Sequence, residues 1–86
     1  MEEVIFVGFN YGQFTNQSGQ KQPYCNVFVL SAFNGAENDD YHFGGQKAAK
    51  YGCVSPDVFK GIKPGTRVRI ALNLSQKVSY MVPVGN

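Results

Sequence analysis

Apolar and polar positions alternate along most of this chain with the period of two that marks half-buried strands. Val4 to Thr15 is dense in β-branched and aromatic residues, and Ile5, Val7, Phe9 and Tyr11 fall on one side. Gly8 and Gly12 fall on the other, where strand glycines signal a bend or bulge. The polar run from Asn16 to Gln22 reads as a loop into a second strand that opens at Pro23 and reaches Phe33. In that strand Cys25, Val27 and Val29 alternate with Tyr24, Asn26, Phe28 and Leu30. Both sides are apolar at its centre, which predicts a central strand or one packed against a second subunit.

Asn34 to Asp40 is a turn-rich acidic loop. Tyr41 to Val54 predicts an irregular third strand broken at Gly44-Gly45, with a helical turn over Gln46 to Lys50 as the alternative. Ser55-Pro56-Asp57 is a helix start: a serine N-cap, proline at the first position and an acid in the first turn. Gly61 and Pro64 limit that helix to about one turn. The turn Lys63 to Thr66 leads into Arg67 to Leu74, where Val68, Ile70, Leu72 and Leu74 point inward and Arg67, Arg69, Ala71 and Asn73 outward. Ser75-Gln76-Lys77 then turns the chain into a last strand, Val78 to Val84. The order predicts an all-β fold: a small five-stranded antiparallel Greek-key barrel of the OB type, with one short helical turn before the fourth strand. An SH3-like barrel has similar strand content and is the alternative.

The 86 residues suit a single domain, residues 1 to 86, and the twelve Phe and Tyr side chains supply one small core. No stretch approaches the ~20 apolar residues of a membrane span. The start Met1-Glu2-Glu3 lacks the basic opening of a secretory signal. Cys25 and Cys53 form neither a zinc set nor a disulfide framework and are expected as two buried thiols of a cytoplasmic protein. The net charge of +2 hides a segregation. Residues 1 to 40 hold Lys21 against five acids; residues 41 to 86 hold seven cations against Asp57 alone. Such a split can build a basic face for a polyanion, unless the halves interleave and neutralise each other.

Catalysis has little to stand on. Asp39, Asp40 and His42 are metal-ligand types, but an acidic loop ending beside a surface histidine accounts for them without a metal. His42 and Cys53 lack a third orienting group, and Gly44-Gly45 lacks the ending of a phosphate-binding loop. No catalytic residue, metal or cofactor is assigned, and the chain is expected not to be an enzyme.

Small β-barrels that hold single-stranded nucleic acid combine cations along the backbone path with aromatic faces for the bases. Here Tyr24 follows Gln20-Lys21-Gln22, Tyr41 and Phe43 follow the acidic loop, and Tyr51 follows Lys47 and Lys50. Arg67 and Arg69 lie on one side of a strand about 7 Å apart, a spacing that can follow successive phosphates. Each feature also has a plain structural explanation, as solubilising arginines or tyrosines packed at strand ends. Their coincidence favours nucleic acid.

Gly12-Gln13-Phe14-Thr15, Ser18-Gly19 and Pro23-Tyr24 resemble the first hairpin of the filamentous-phage gene V-type single-stranded DNA-binding proteins. Those chains are nearly this long, with QFT, a polar loop containing SG, and a PY pair that starts the second strand. The ending is similar too: the Pro64-Gly65 turn, an alternating strand, a hairpin, and a final strand closing on Val82-Pro83. Residues 34 to 60 lie outside the resemblance. It implies an OB fold, a symmetric homodimer that coats single strands cooperatively in phage DNA replication, and a cytoplasmic location in the host cell. It nominates Tyr24 as a base-stacking residue and Asn16 to Gln22 as the DNA-binding wing, with Lys21 its one cation. Unlike the family's basic wing, this one is neutral at Asn16 and Gln17, and the later hairpin keeps only Lys77. Lys47, Lys50, Arg67 and Arg69 are the expected compensation.

The expected function is therefore largely sequence-independent binding of single-stranded DNA, with RNA open as a ligand. Lys21, Lys47, Lys50, Arg67, Arg69 and Lys77 would meet phosphates; Tyr24 and one or more of Tyr41, Phe43 and Tyr51 would stack on bases. A protein-binding adaptor is the rival. Its signature would be a patch joining Tyr and Phe residues with Glu37, Asp39 and Asp40.

Overall fold

The computed structural model describes residues 2–33 and 35–85; Asn34, which opens the expected acidic loop, lies outside them. The strands are β1 (Glu2–Thr15), β2 (Lys21–Ser31), β3 (Lys47–Gly52), β4 (Thr66–Leu72) and β5 (Val78–Pro83). They form one antiparallel sheet in the order β3-β2-β1-β4-β5. β2 lies between β1 and β3, so both of its edges are paired at its centre. Its core side carries the buried Val27 and Val29, while Phe28 and Leu30 are half-buried behind them. The sheet is not closed into a full ladder. Its two edge strands approach at one place, where Cys53 forms an isolated parallel bridge to Val78 and the Val54 N–H donates to the Val78 carbonyl at 3.0 Å.

The helical turn forms where its capping residues put it. Pro56–Phe59 is a 3-10 turn, and the Ser55 hydroxyl accepts from the Asp57 N–H at 3.1 Å. It carries the buried Phe59 into the core cluster that includes Phe6, Val27, Val68, Ile70 and Val78, with its ring stacked near that of Phe6. Phe6 is fully buried at the centre of this cluster. Burial of such a side chain stabilises a fold by ~1.5–3 kcal/mol.

Four expectations need correction. The first concerns the face of β1: Phe6 pairs with Val29 but Gly8 with Phe28, so Val7 is an extra residue in a bulge. Val4 and Phe6 therefore point to the core ahead of the bulge, and Phe9 and Tyr11 continue that same face after it. Ile5 and Val7 leave it. The second concerns the strand Arg67 to Leu74, which ends at Leu72; Leu74 sits fully exposed at a hairpin tip. Third, the strand in the 41–54 segment begins only at Lys47, and no helix forms over Gln46 to Lys50.

The fourth correction is chemical. Cys25 and Cys53 are joined in a disulfide with Cα atoms 5.4 Å apart. The register explains the pairing. Asn26 faces Gly52 in the β2–β3 ladder, so the next positions along, 25 and 53, fall opposite each other, and the Cys53 N–H donates to the Cys25 carbonyl at 3.0 Å. A cytoplasmic location inferred from reduced thiols loses its basis, since disulfides persist mainly in oxidising compartments. No helix among the described residues is long and apolar enough to cross a membrane.

Candidate nucleic-acid interface

β1 runs on beyond the part of the sheet that β3 covers. The β1–β2 ladder extends from Ile5–Leu30 to Thr15–Lys21, whereas β3 pairs with β2 only from Asn26 to Ser31. The distal half of the hairpin is thus a two-stranded wing, and the outer edge of Lys21 to Tyr24 has no β3 partner. Pro23, which has no N–H to offer, occupies this edge without loss.

The wing is closed by a five-residue loop in which Asn16 Oδ1 accepts from the N–H groups of Ser18 and Gln20 at 2.9 and 3.0 Å. Gly19 holds a φ of 81° in that loop. The β4–β5 hairpin uses the same construction: Asn73 Oδ1 accepts from Ser75 and Lys77 N–H at 2.9 and 3.0 Å, and Gln76 takes the positive φ, 62°. Lys21 is the first strand residue after one loop, and Lys77 is the last residue of the other.

Tyr24 lies on the convex side of the wing, opposite Gly12 in the ladder. The glycine leaves space that the phenol covers. The Tyr24 ring also neighbours Phe14, with centroids 6.4 Å apart, and remains 41% exposed. Along the free edge runs a groove of about 620 Å³ whose lining includes Tyr24, Tyr11, Gln13, Asn26, the disulfide and Lys77. Lys77 lies against Gly52, where its Cγ is 3.7 Å from the position a Cβ would occupy. An exposed aromatic ring and a cation thus share one groove, with Lys21 at the adjoining wing end.

The remaining candidates are distributed elsewhere. Lys50 faces Phe28 on the convex side of β3, while Lys47 faces Ser31 and points to the opposite side. Tyr51 is half-buried and packs against the core cluster. Tyr41 and Phe43 belong to the loop at the far end of β2, roughly 23 Å along the strand from Tyr24 at ~3.3 Å per residue. They form an aromatic cluster with Phe33, with successive centroid separations of 5.5 Å. Glu37 accepts from the Phe43 N–H at 3.4 Å, and Asp39 and Asp40 are exposed beside the cluster. This aromatic group is therefore acidic in its surroundings.

Arg67 and Arg69 project from the convex side of β4 beside β1, and both approach one carboxylate. Glu3 lies 3.4 Å from Arg67 and 3.8 Å from Arg69. The groups are exposed, so the pairing contributes little to stability, but it halves the charge the two arginines offer. Residue spacing placed the arginines on one face. It did not reveal Glu3 across the strand.

Two residues enter the site that the sequence did not nominate: Phe14 and Tyr11. Phe14 was legible only as part of the QFT hairpin. Ile5, Val7, Phe9 and Tyr11 are expected on one side, and the bulge that Gly8 signals separates Phe9 and Tyr11 from Ile5 and Val7. Among the described residues, no group of three or more His, Cys, Asp and Glu side chains is arranged to hold a metal ion.

No family model matches the chain, and no curated protein or solved structure matches it.

Proposed function

We propose that this protein is a non-enzymatic, largely sequence-independent single-stranded DNA-binding protein of the gene V type, acting in the replication of a phage or other mobile element. The observation that carries the reading is the exposed Tyr24 ring beside a groove that also holds Lys77. Stacking needs a ring face in the open, and backbone tracking needs a cation within a few ångströms of the same path. Lys21 extends the path along the wing. Arg67, Arg69 and Lys50 lie on the same convex side as Tyr24 and would add phosphate contacts. A base-reading element is not required, because stacking accepts every base.

The strand order and the single bridge between the edge strands are the ones an OB barrel would need, and we take the sheet to be an open form of it. A homodimer accords with the small core and with half-buried Phe28 and Leu30 on the convex side. RNA would be accepted on the same rings.

The test is a gel-shift titration of a single-stranded ~20-mer at low salt, with the matching duplex and an RNA of the same sequence as competitors. Single-strand retention with weak duplex competition supports the proposal. No shifted species at low salt overturns it.

A second reading has its own observation. Tyr41, Phe43 and Phe33 cluster beside Glu37, Asp39 and Asp40, the combination expected of a protein-binding adaptor. An acidic rim repels a nucleic acid and suits a basic partner. On this reading Tyr41→Ala abolishes partner binding and leaves any DNA affinity unchanged.

A further inference from the structure

The concave side of the wing carries a second set of exposed rings. Phe9 and Tyr11 are 43% and 57% exposed, although the bulge at Val7 puts them on the core-facing side of β1. Phe59 supports them from below. Its ring lies parallel to that of Phe9 at 4.3 Å and tilted to that of Tyr11 at 6.0 Å. A depression of about 370 Å³ forms over these rings, and Lys60 stands at its side with Asp57. Core packing explains Phe59, which is buried. It does not explain two neighbouring aromatic side chains left half in water on a face whose other apolar members, Val4 and Phe6, are buried.

The depression is continuous with the groove at the free edge. Tyr11 and Pro56 line both. In the ladder, Tyr11 faces Cys25 and Gly12 faces Tyr24, so the two tyrosines occupy adjacent rungs on opposite sides of the same hairpin. β3 stops at Gly52 and Cys53 still pairs with Cys25 beside Tyr11, so the edge of β2 is open from Tyr24 toward Lys21, and the groove beside the disulfide joins the two sides.

We infer that Phe9 and Tyr11 form a second base-stacking platform, and that a single strand wraps the free edge of β2 from Tyr24, past Lys77, onto Tyr11 and Lys60. The inference rests on the single-stranded DNA reading and deepens it by assigning the strand's path. Charge favours this occupant over an apolar peptide: the path meets Lys77 and Lys60 against Asp57 alone. The groove also presents ring faces bordered by cations, which is how single strands are held without sequence preference.

A wrapped path makes affinity depend on oligonucleotide length in a residue-specific way. Dye-labelled oligothymidylates of ~4 and ~16 nucleotides, spanning the site sizes seen for one OB fold, are titrated with the wild-type protein, Tyr24→Ala, Tyr11→Ala and Lys60→Glu. Tyr24→Ala weakens both lengths. Tyr11→Ala weakens the long oligonucleotide by about fivefold or more, the loss of one stacked base, and the short one by a smaller factor, since Tyr11 also lines the groove beside Tyr24. Lys60→Glu, a substitution at an exposed position that does not threaten the fold, repeats that length selectivity and lowers the salt dependence for the long oligonucleotide only. Wild-type affinity of both Tyr11→Ala and Lys60→Glu for the long oligonucleotide overturns the wrapped path while leaving the single-stranded DNA reading intact. If the wild-type protein binds neither length, both fall together.

Discussion

Tyr24 lies across Gly12 so closely that a Cβ on the glycine would meet the phenol oxygen at 2.9 Å. The glycine thereby lets the ring lie down over the neighbouring strand with its other face open. Only the far end of a flexible side chain is in the way, so Gly12→Ala should fold. We expect it to displace the ring and lower single-strand affinity, by less than Tyr24→Ala does. Tyr24→Ala should cost ~1–3 kcal/mol of binding, while Tyr24→Phe retains most of it. Calorimetric titration of the three variants checks the order. Equal affinity of Tyr24→Ala and wild type would remove the ring from the site.

Glu3 and its two arginines give a prediction of opposite sign. Glu3→Gln removes a carboxylate that both Arg67 and Arg69 approach. Stability should change by less than about 1 kcal/mol, because all three groups are exposed. Single-strand affinity should rise, and its salt dependence should steepen as the freed guanidinium groups meet phosphate. Affinity unchanged in Glu3→Gln would place the β4 arginines off the binding path.

The disulfide ties positions 28 apart in sequence. Closing a loop of that length in the unfolded chain corresponds to roughly 3–4 kcal/mol of stabilisation in the chain-entropy treatment. Urea unfolding with and without a dithiol reductant should show a loss of that order, and Cys25→Ser/Cys53→Ser should match the reduced protein. Coincident unfolding curves would mean that the bond does not form in solution.

Gln76 occupies a left-handed conformation that the equivalent position of the first hairpin gives to Gly19. Gln76→Gly should therefore stabilise the protein by about 0.5–1 kcal/mol, with the Asn73 turn kept. Gly19→Gln should destabilise it by a similar amount. Thermal melts of the two variants moving in the same direction would contradict the equivalence of the two loops.

How far each part could be read from sequence follows from which interactions determine it. The Ser55 cap with Pro56, and the alternation around Val68 and Ile70, are local patterns, and those elements lie where the pattern puts them. The face of β1 was not legible. Val4, Ile5, Phe6 and Val7 are all apolar, so only the pairing of Phe6 with Val29 and Gly8 with Phe28 fixes which of them turn inward. β3 was obscured for another reason: Lys47 to Gly52 carries two alanines and two lysines, and its strand state comes from pairing with β2. The same ladder decides the disulfide and separates Lys47 from Lys50, residues three apart that necessarily face opposite sides of a strand. Of the candidate interface, Tyr24, Lys21 and Lys77 were legible because hairpin ends are marked by local turn residues. The Phe9–Tyr11 platform and the Glu3 pairing depend on residues distant in sequence.

On the proposed function, rings and cations of the wing hold a single strand. Fluorescence anisotropy of a labelled ~20-nucleotide single strand, titrated at several salt concentrations beside its duplex, tests it most directly. The expected result is preference for the single strand and a log–log salt slope of about −0.7 for each phosphate contact. Equal binding of strand and duplex, or no binding of either at low salt, would contradict it.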